Sequence, residues 1–599
     1  MEQFKQKNGV SVRAYKGDAM TLVAFDLIET LRKNLAGFTI CYSVTGNTAK
    51  KFIYNRVTFP DDVIMNSGIP TDDRNSTLYS PIQKFNWVHV PNTNIDTQNS
   101  IFGDYVYEIT PRYIIKKKLQ PIDSRLTVKV KINVGPFETK NTKVGFTRGF
   151  VSSVAYAKRF NASNNSVRPD QTTLIFPISQ TADYSKRWDE GLHQFKEKPY
   201  TYQEQHKWLG WQARERILEF LNEVVSNSSL RLKVLAYDLD EPEICRILTD
   251  LGKEGRVKII LDDAGDHADP NSFEGKFHAL FDPNKSGTHI VRGHYKGLAH
   301  CKIFIMLDAA GKAVKALTGS ANFSTNGLYI NSNHALVFND EQVAECYNVL
   351  FDKSFSSTLI DSLKGNTPTE KDYDFSAVKT PKMTITFAPH KKADAERIFS
   401  RISSRITKNG NTDILFAIMK DTSKSSILKA VQQQLKNQSV FTYGITDTIS
   451  KKAPDYEVFL YKPNNVNGIR VAGKGIANVL PPPFGTVPKV DGYAVHHKFV
   501  VVNFKGEDPV VYCGSSNLAF GPEQSNGDNL LEIHDKDIVT AFAIEALRLV
   551  DHFHWRNSEV NPLVEKRLDD LSVAGRIWYK PWFEPSDLRN RQRKLYIRP

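Results

Sequence analysis

Cysteine is scarce in this 599-residue chain: Cys41, Cys245, Cys301, Cys346 and Cys513 lie far apart, with no Cys-x-x-Cys pair. That spacing excludes a disulfide framework and a cysteine zinc site. Long apolar runs are missing too, since none reaches the roughly 18 residues that a spanning helix needs. The opening Met-Glu-Gln-Phe-Lys-Gln-Lys has no apolar segment of a secretory leader. These absences predict a soluble, cytoplasmic protein. Compositional bias is also lacking: 40% hydrophobic and 24% charged residues, with 34 Gly and 28 Pro, exclude a disordered or fibrous chain. At 67.8 kDa the chain exceeds one core and predicts several domains.

Positive charge is in excess. The net charge of +13 favours a polyanionic partner, either nucleic acid or an anionic lipid surface. Residues 576–599 hold seven Lys/Arg against two acids, +5 of that excess. A solvated, charge-solubilised terminus is the plainer reading of this tail.

Residues 1–185 read as an all-β unit. Phe38–Tyr42, Phe85–Val90, Tyr105–Ile109 and Leu126–Ile132 alternate bulky and polar residues at period two. Short strands at this spacing predict a two-sheet sandwich. The arrangement resembles a fibronectin type III or immunoglobulin-like module, which implies binding or packing, including a possible protein partner. The stretch Gly145–Phe150 reads as a packed interdomain connection.

From about 190 helices and strands alternate. Ile217, Phe220, Leu221 and Val224 mark one helical face, followed by a strand at 232–237, a helix at 241–251 and a strand at 257–261. This is a βαβ pattern with a parallel sheet as its natural outcome. The order recurs: Ile398, Ile402 and Ile406 mark a helix, then 414–419 a strand, 425–435 a helix and 440–443 a strand.

Each copy carries a His-x-Lys triplet and then a Gly-Ser-x-Asn quartet. The first has His300-Cys301-Lys302 and Gly319-Ser320-Ala321-Asn322; the second has His496-His497-Lys498 and Gly514-Ser515-Ser516-Asn517. The histidines lie 196 residues apart and the glycines 195, too long a period for a solenoid. A lone Gly-Ser-x-Asn is expected ~0.1 times in such a chain from average residue usage. Finding it twice at matched spacing points to an internal duplication, with two α/β halves about a pseudo-twofold axis.

Residues at i and i+2 of a strand point the same way, so each triplet pairs an imidazole with a cation on one face. Two such sets, with four hydroxyl or amide donors from Ser320, Asn322, Ser515 and Asn517, suit a tetrahedral phosphate. One histidine can attack phosphorus while the other protonates the leaving oxygen, and water then hydrolyses the phosphohistidine. This scheme needs no metal and no other cofactor.

The duplicated pattern over roughly 190–570 resembles the phospholipase D superfamily of HKD phosphodiesterases. The resemblance implies that His300, Lys302, His496 and Lys498 are catalytic, with the two serines and two asparagines lining the phosphate site. The predicted units are 1–185, 186–375 with the first motif, 376–570 with the second, and a basic tail from 571. Two departures stand out. The family's Asp seven residues after His is replaced by Leu307, with Asp308 one step late, and by Asn503. Members resembling tyrosyl-DNA phosphodiesterase also lack it. The family's histidine-orienting carboxylate has a counterpart in Asp528, whereas the first copy offers Asn333. Family habit makes His300 the nucleophile and His496 the acid/base; Asp528, sitting in the second copy, argues the reverse.

Other residues read as structural. Cys301 and Cys513 are expected as small buried thiols, and His497 faces away from its neighbour His496. Asp262, Asp263, Asp266 and His267 read as a solvated loop rather than a metal cluster. Trp208, Trp211 and Tyr237 are expected to pack the core or the pocket rim.

The leading expectation is a metal-independent phosphodiesterase acting on nucleic acid. The alternative is a phospholipase D hydrolysing or transferring phosphatidyl groups. A catalytically weakened binding protein is the third reading.

Overall fold

The computed structural model describes residues 1–55, 57–91, 100–149, 156, 159–160, 166–183, 186–189, 194–197, 199–281, 289–355, 363, 367–376, 379–419, 425–447, 469–472, 495–557, 567–573 and 577–598. Phe150 and Arg576 lie outside these residues.

Period-two alternation builds the first third. In Val128–Val134 the valines and Ile132 are buried while Lys129, Lys131 and Asn133 are exposed. Glu2–Lys7, Val10–Lys16, Thr21–Leu27 and Asn86–His89 form one antiparallel sheet. Leu35–Val44, Asn47–Phe52, Gly103–Ile115, Lys118–Leu119 and Val128–Val134 form a second. Val12 and Phe25 of the first share one apolar cluster with Phe38, Ile40, Tyr107 and Val130 of the second. Burying one such phenylalanine contributes ~1.5–3 kcal/mol.

The basic tail is not a solvated terminus. Trp578 donates from its indole to Leu35 O at 2.8 Å, and Phe85 packs against Trp578, Trp582 and Phe583. Arg593 is buried, pairs with Asp26 and donates to Trp582 O at 2.8 Å. Tyr596, fully buried, touches Phe441 and Phe504. Among the tail's described cations Arg593 alone is buried while Lys580, Lys594 and Arg598 stay exposed; its aromatics draw the tail onto apolar surface that the β-unit leaves uncovered.

Two eight-stranded mixed sheets follow. The first runs, edge to edge, Phe137–Thr139, Thr142–Phe146, His334–Phe338, Ala313–Gly319, Ile303–Leu307, Arg231–Ala236, Val257–Leu261, Ile290–Arg292. The second runs Tyr373–Phe375, Met383–Phe387, Asn529–Ile533, Val510–Gly514, Lys498–Val502, Asp413–Ile418, Phe441–Thr446, Ile469–Ala472. In both, only the last three strands are parallel and every other pairing is antiparallel. The parallel βαβ expected at 231–261 is present, inside a mostly antiparallel sheet.

Residues 137–146, assigned from sequence to the first unit, belong to the first mixed sheet: Thr142–Phe146 pairs with His334–Phe338, and Phe137–Thr139 pairs with Thr142–Phe146. Asp18 ties the β-unit to this edge by accepting from the backbone of Phe137 and Phe146 at 3.1 and 3.0 Å. Burial pushes that carboxyl up to about 7. Helix Tyr202–Ser226 comes after Thr142–Phe146 and Lys392–Thr407 after Met383–Phe387, while Glu341–Phe355 follows His334–Phe338 and Lys536–Asn557 follows Asn529–Ile533. The first of these starts at a reciprocal Thr201–Glu204 capping box. Among the described residues no helix is long and apolar enough to cross a membrane.

Candidate active site

Strand direction gathers the motifs. Each His-x-Lys triplet sits where its strand begins, each Gly-Ser where the next antiparallel strand ends, beside the carboxyl ends of the parallel strands. In open α/β sheets that edge is where ligands collect.

The quartet's glycines are required by close approach. Gly319 (φ +156°) and Gly514 (φ +133°) lie so near the neighbouring strand that an added Cβ would fall 2.2 Å from His334 O and 2.5 Å from Asn529 O. That proximity lets Ser320 N and Ser515 N donate to those same carbonyls at 3.0 and 3.1 Å.

Two loops sew the copies together at the site. Gly527 N donates to Leu298 O at 2.8 Å, and Ser332 bridges Val495 in parallel. These contacts sit just before Asp528, His300, Asn333 and His496 in the chain, and they cross the supports over. His300 Nδ1 lies 2.7 Å from Asp528 Oδ1, although the two are 228 residues apart. His496 Nδ1 lies 2.8 Å from Asn333 Oδ1 and 3.1 Å from Ser320 O. Asp528 therefore serves the histidine of the other copy, and its argument for His496 as the nucleophile falls away. Both imidazoles give their Nδ1 proton to an acceptor, which leaves each Nε2 with a lone pair.

The serines do not line a phosphate site as expected. Ser320 and Ser515 are fully buried, and their hydroxyls donate to Asn333 Oδ1 and Asp528 Oδ1, each at 2.8 Å. They brace the groups that brace the histidines.

The two motif-Asp positions are also placed elsewhere. Asp308 Oδ1 accepts from Ala310 N and Lys312 N in the hairpin turn after Ile303–Leu307. Asn503 (φ +59°) accepts from Thr412 N and donates to Glu507 O beyond Lys498–Val502. A five-residue strand of about 16 Å separates each from its histidine, so neither reaches it; both close turns.

Lys302 is buried, donates to His300 O and lies 4.9 Å from the Tyr237 ring centroid. Burial pushes it down to about 8, against the pull of Asp528 and Asp238. Lys498 Nζ lies 3.2 Å from His496 Nε2 and 2.8 Å from His496 O. Asn322 donates to Asp238, while its Oδ1 and that of Asn517 are buried without a partner.

Burial lowers the pKa of His300, helped by Lys302 and opposed by Asp528. Burial, Lys498, Lys302 and His300 hold His496 well below the usual histidine range. Lys302 and His300 thus bear on His496 although they lie nearly 200 residues away in the chain.

Several positioning groups carry no sequence signal. Asp262, fully buried rather than in a solvated loop, accepts from Ala299 N at 2.6 Å, and Asp447 accepts from Val495 N at 2.9 Å. Each thereby pins the residue before its histidine, but at unequal spacings. Tyr237 lies edge-on to His300 at 5.0 Å. Trp208 and Trp211 pack in the core.

Asp238, His267 and Glu274 are the described residues able to hold a metal ion. His267 faces Asp262 through Nδ1 (2.9 Å) and Asp238 through Nε2 (3.2 Å). Burial lowers its pKa, but these carboxylates outweigh it and raise it to about 10. An imidazolium clamped between carboxylates satisfies the group without an ion. The five cysteines are buried and free.

Residues 221–355 match the family model described as cardiolipin synthase, PLD-like domain, and they contain the first of the two motif copies. Residues 221–355 are a phospholipase D-like domain. No curated protein sequence matches the chain. Among solved structures it is similar to phosphatidylserine synthase of Haemophilus influenzae Rd KW20, at 11% identity and TM-score 0.37 over 56% of this chain and 84% of that one. It is similar also to polyphosphate kinase of Porphyromonas gingivalis, at 14% identity and TM-score 0.36, over 54% of this chain and only 46% of the kinase. The phospholipase D family member Nuc of Salmonella typhimurium aligns at 21% identity and TM-score 0.19, over 24% of this chain and 86% of its own.

Proposed function

We propose that this chain is a phospholipase D superfamily member and a metal-independent phosphodiesterase whose two motif copies, products of an internal duplication related by a pseudo-twofold axis, form one site. The observation that carries this reading is the crossed support of His300 by Asp528 and of His496 by Asn333. Each half supplies what the other half's histidine leans on, as expected of a single shared site.

His300 Nε2 attacks phosphorus as the bond to the leaving oxygen breaks, and His496 gives that oxygen a proton from Nε2. Water then gives a proton to His496 and attacks phosphorus; the P–N bond breaks and a phosphomonoester leaves. Lys302 and Lys498 neutralise the non-bridging oxygens. A phosphate anion between these cations lifts the pKa of His496 and so charges the acid when substrate is bound.

Nucleic acid is the favoured substrate, on the chain's net charge of +13. The match to a family model described as cardiolipin synthase supports a phosphatidyl lipid as the second reading. Pure protein incubated with single- and double-stranded DNA in excess EDTA, beside His300→Ala, tests both. Cleavage by the wild type alone is expected. Intact DNA with headgroup release from phosphatidyl vesicles would move the substrate to lipid.

A further inference from the structure

Behind His496 runs a buried chain of hydrogen bonds that the proposed chemistry does not touch. Asn333 Oδ1, which holds His496 Nδ1, also accepts from Ser320 Oγ at 2.8 Å. Ser320 Oγ lies 3.1 Å from His334 Nδ1, and His334 Nδ1 lies 3.2 Å from His497 Nδ1. The two rings are nearly parallel, at 4°. His497 Nε2 lies 3.2 Å from Glu545 Oε1, and Glu545 is clamped by Arg548, whose Nε and Nη2 reach it at 2.7 and 2.6 Å. His334, His497 and Glu545 are all fully buried.

The two ends determine every proton between them. Ionised Glu545 can only accept, so His497 donates from Nε2 and must accept at Nδ1. His334 then carries its proton on Nδ1, shared between His497 and Ser320. Ser320, accepting there, donates to Asn333, whose carbonyl must accept from His496 as well. Asn333 cannot rotate, because its amide donates to Gly327 O at 2.8 Å. No member can adopt the other tautomer without setting two donors or two acceptors face to face.

We propose that Glu545, His497 and His334 form a positioning relay that locks His496 with its proton on Nδ1 and Nε2 facing the leaving oxygen. This rests on the assignment of His496 as the acid above. Glu545 is thus the remote carboxylate of the second half-site, doing through four side chains what Asp528 does for His300 by direct contact.

The test compares two phosphodiesters with the variants Glu545→Gln and His497→Asn. A dinucleoside phosphate expels an alkoxide, which needs the acid; bis(4-nitrophenyl) phosphate expels a stabilised phenolate, which does not. The expected result is a fall of about 10- to 100-fold in kcat for the dinucleoside phosphate with KM unchanged. The first-turnover burst of 4-nitrophenolate should stay within about threefold of wild type. Equal losses on both substrates, or no loss on either, overturn the relay. His497→Asn leaves the Glu545–Arg548 pair intact and serves if Glu545→Gln does not fold. Wild-type protein inert toward both diesters would instead overturn the phosphodiesterase reading, and the relay with it.

Discussion

On one side of the site a histidine leans directly on a carboxylate; on the other it leans on an amide. Behind His300 stand Asp528 and Ser515, with Cys301 as the next residue in the chain. Behind His496 stand Asn333, Ser320 and a pair of histidines ending in an ion pair. The strand order of the two sheets matches, so the difference lies in what each strand end places behind its histidine. A carboxylate stabilises the charge that builds on an attacking imidazole, whereas an amide fixes a tautomer without making the ring more basic. The inequality suits one nucleophile and one acid/base.

The largest expected break comes from the histidines themselves. His300→Ala should lower phosphodiester turnover by a factor on the order of 10⁴ or more, the scale seen on losing a nucleophile that acts in concert with a base. His496→Ala should leave attack on bis(4-nitrophenyl) phosphate possible but stall hydrolysis, so mass spectrometry should find a phosphorylated His300. A label at His496 instead would reverse the roles.

Removing the carboxylate comes next. Asp528→Asn should cost about 10²-fold in kcat/KM, since one buried charge-assisted hydrogen bond to the charged ring is lost. The sign of its pH effect follows from the environment. Burial and Lys302 already lower His300, and Asp528 opposes them. Without that opposition the pKa falls further, so the acid limb of the kcat/KM profile should move to lower pH. Movement to higher pH would contradict this account of Asp528.

Making the two sides alike is a smaller change. Asn333→Asp adds a carboxylate beside His496, raises its pKa and should shift the alkaline limb upward, with kcat changed by no more than about tenfold. Ser320→Ala and Ser515→Ala each remove one buried donor and should cost about three- to tenfold. Cys513→Ala should change turnover by less than about twofold, because that thiol is buried and takes no part.

The motif residues were legible because they occur twice at matched spacing, and a repeated motif is visible without coordinates. The exchange of supports between copies was not. Asp528 follows Asn517 in the chain, and contacts of Gly527 with Leu298, Gly297 with Ser525 and Leu298 with Asn526 carry it across to His300. Asp262 and Asp447 were missed as anchors because 37 residues separate one from its target and 48 the other, so no period reveals them. The serines misled for another reason: a hydroxyl that binds phosphate and one that braces a carboxylate look the same in a motif. At the edge of the first sheet, Phe137–Thr139 and Thr142–Phe146 are too short to announce which sheet they join. Seven basic residues in the tail drew attention from its aromatics, which decide where it packs.

The crossed supports also fix the order in which the two histidines gain their braces. As a ribosome makes the chain, His300 emerges 228 residues ahead of Asp528 and Asn333 emerges 163 ahead of His496. The ring of His300 has no brace until residue 528 has been made, whereas Asn333 is already there when His496 appears. A nascent chain, or a fragment, that stops short of Asp528 therefore holds His300 without its carboxylate.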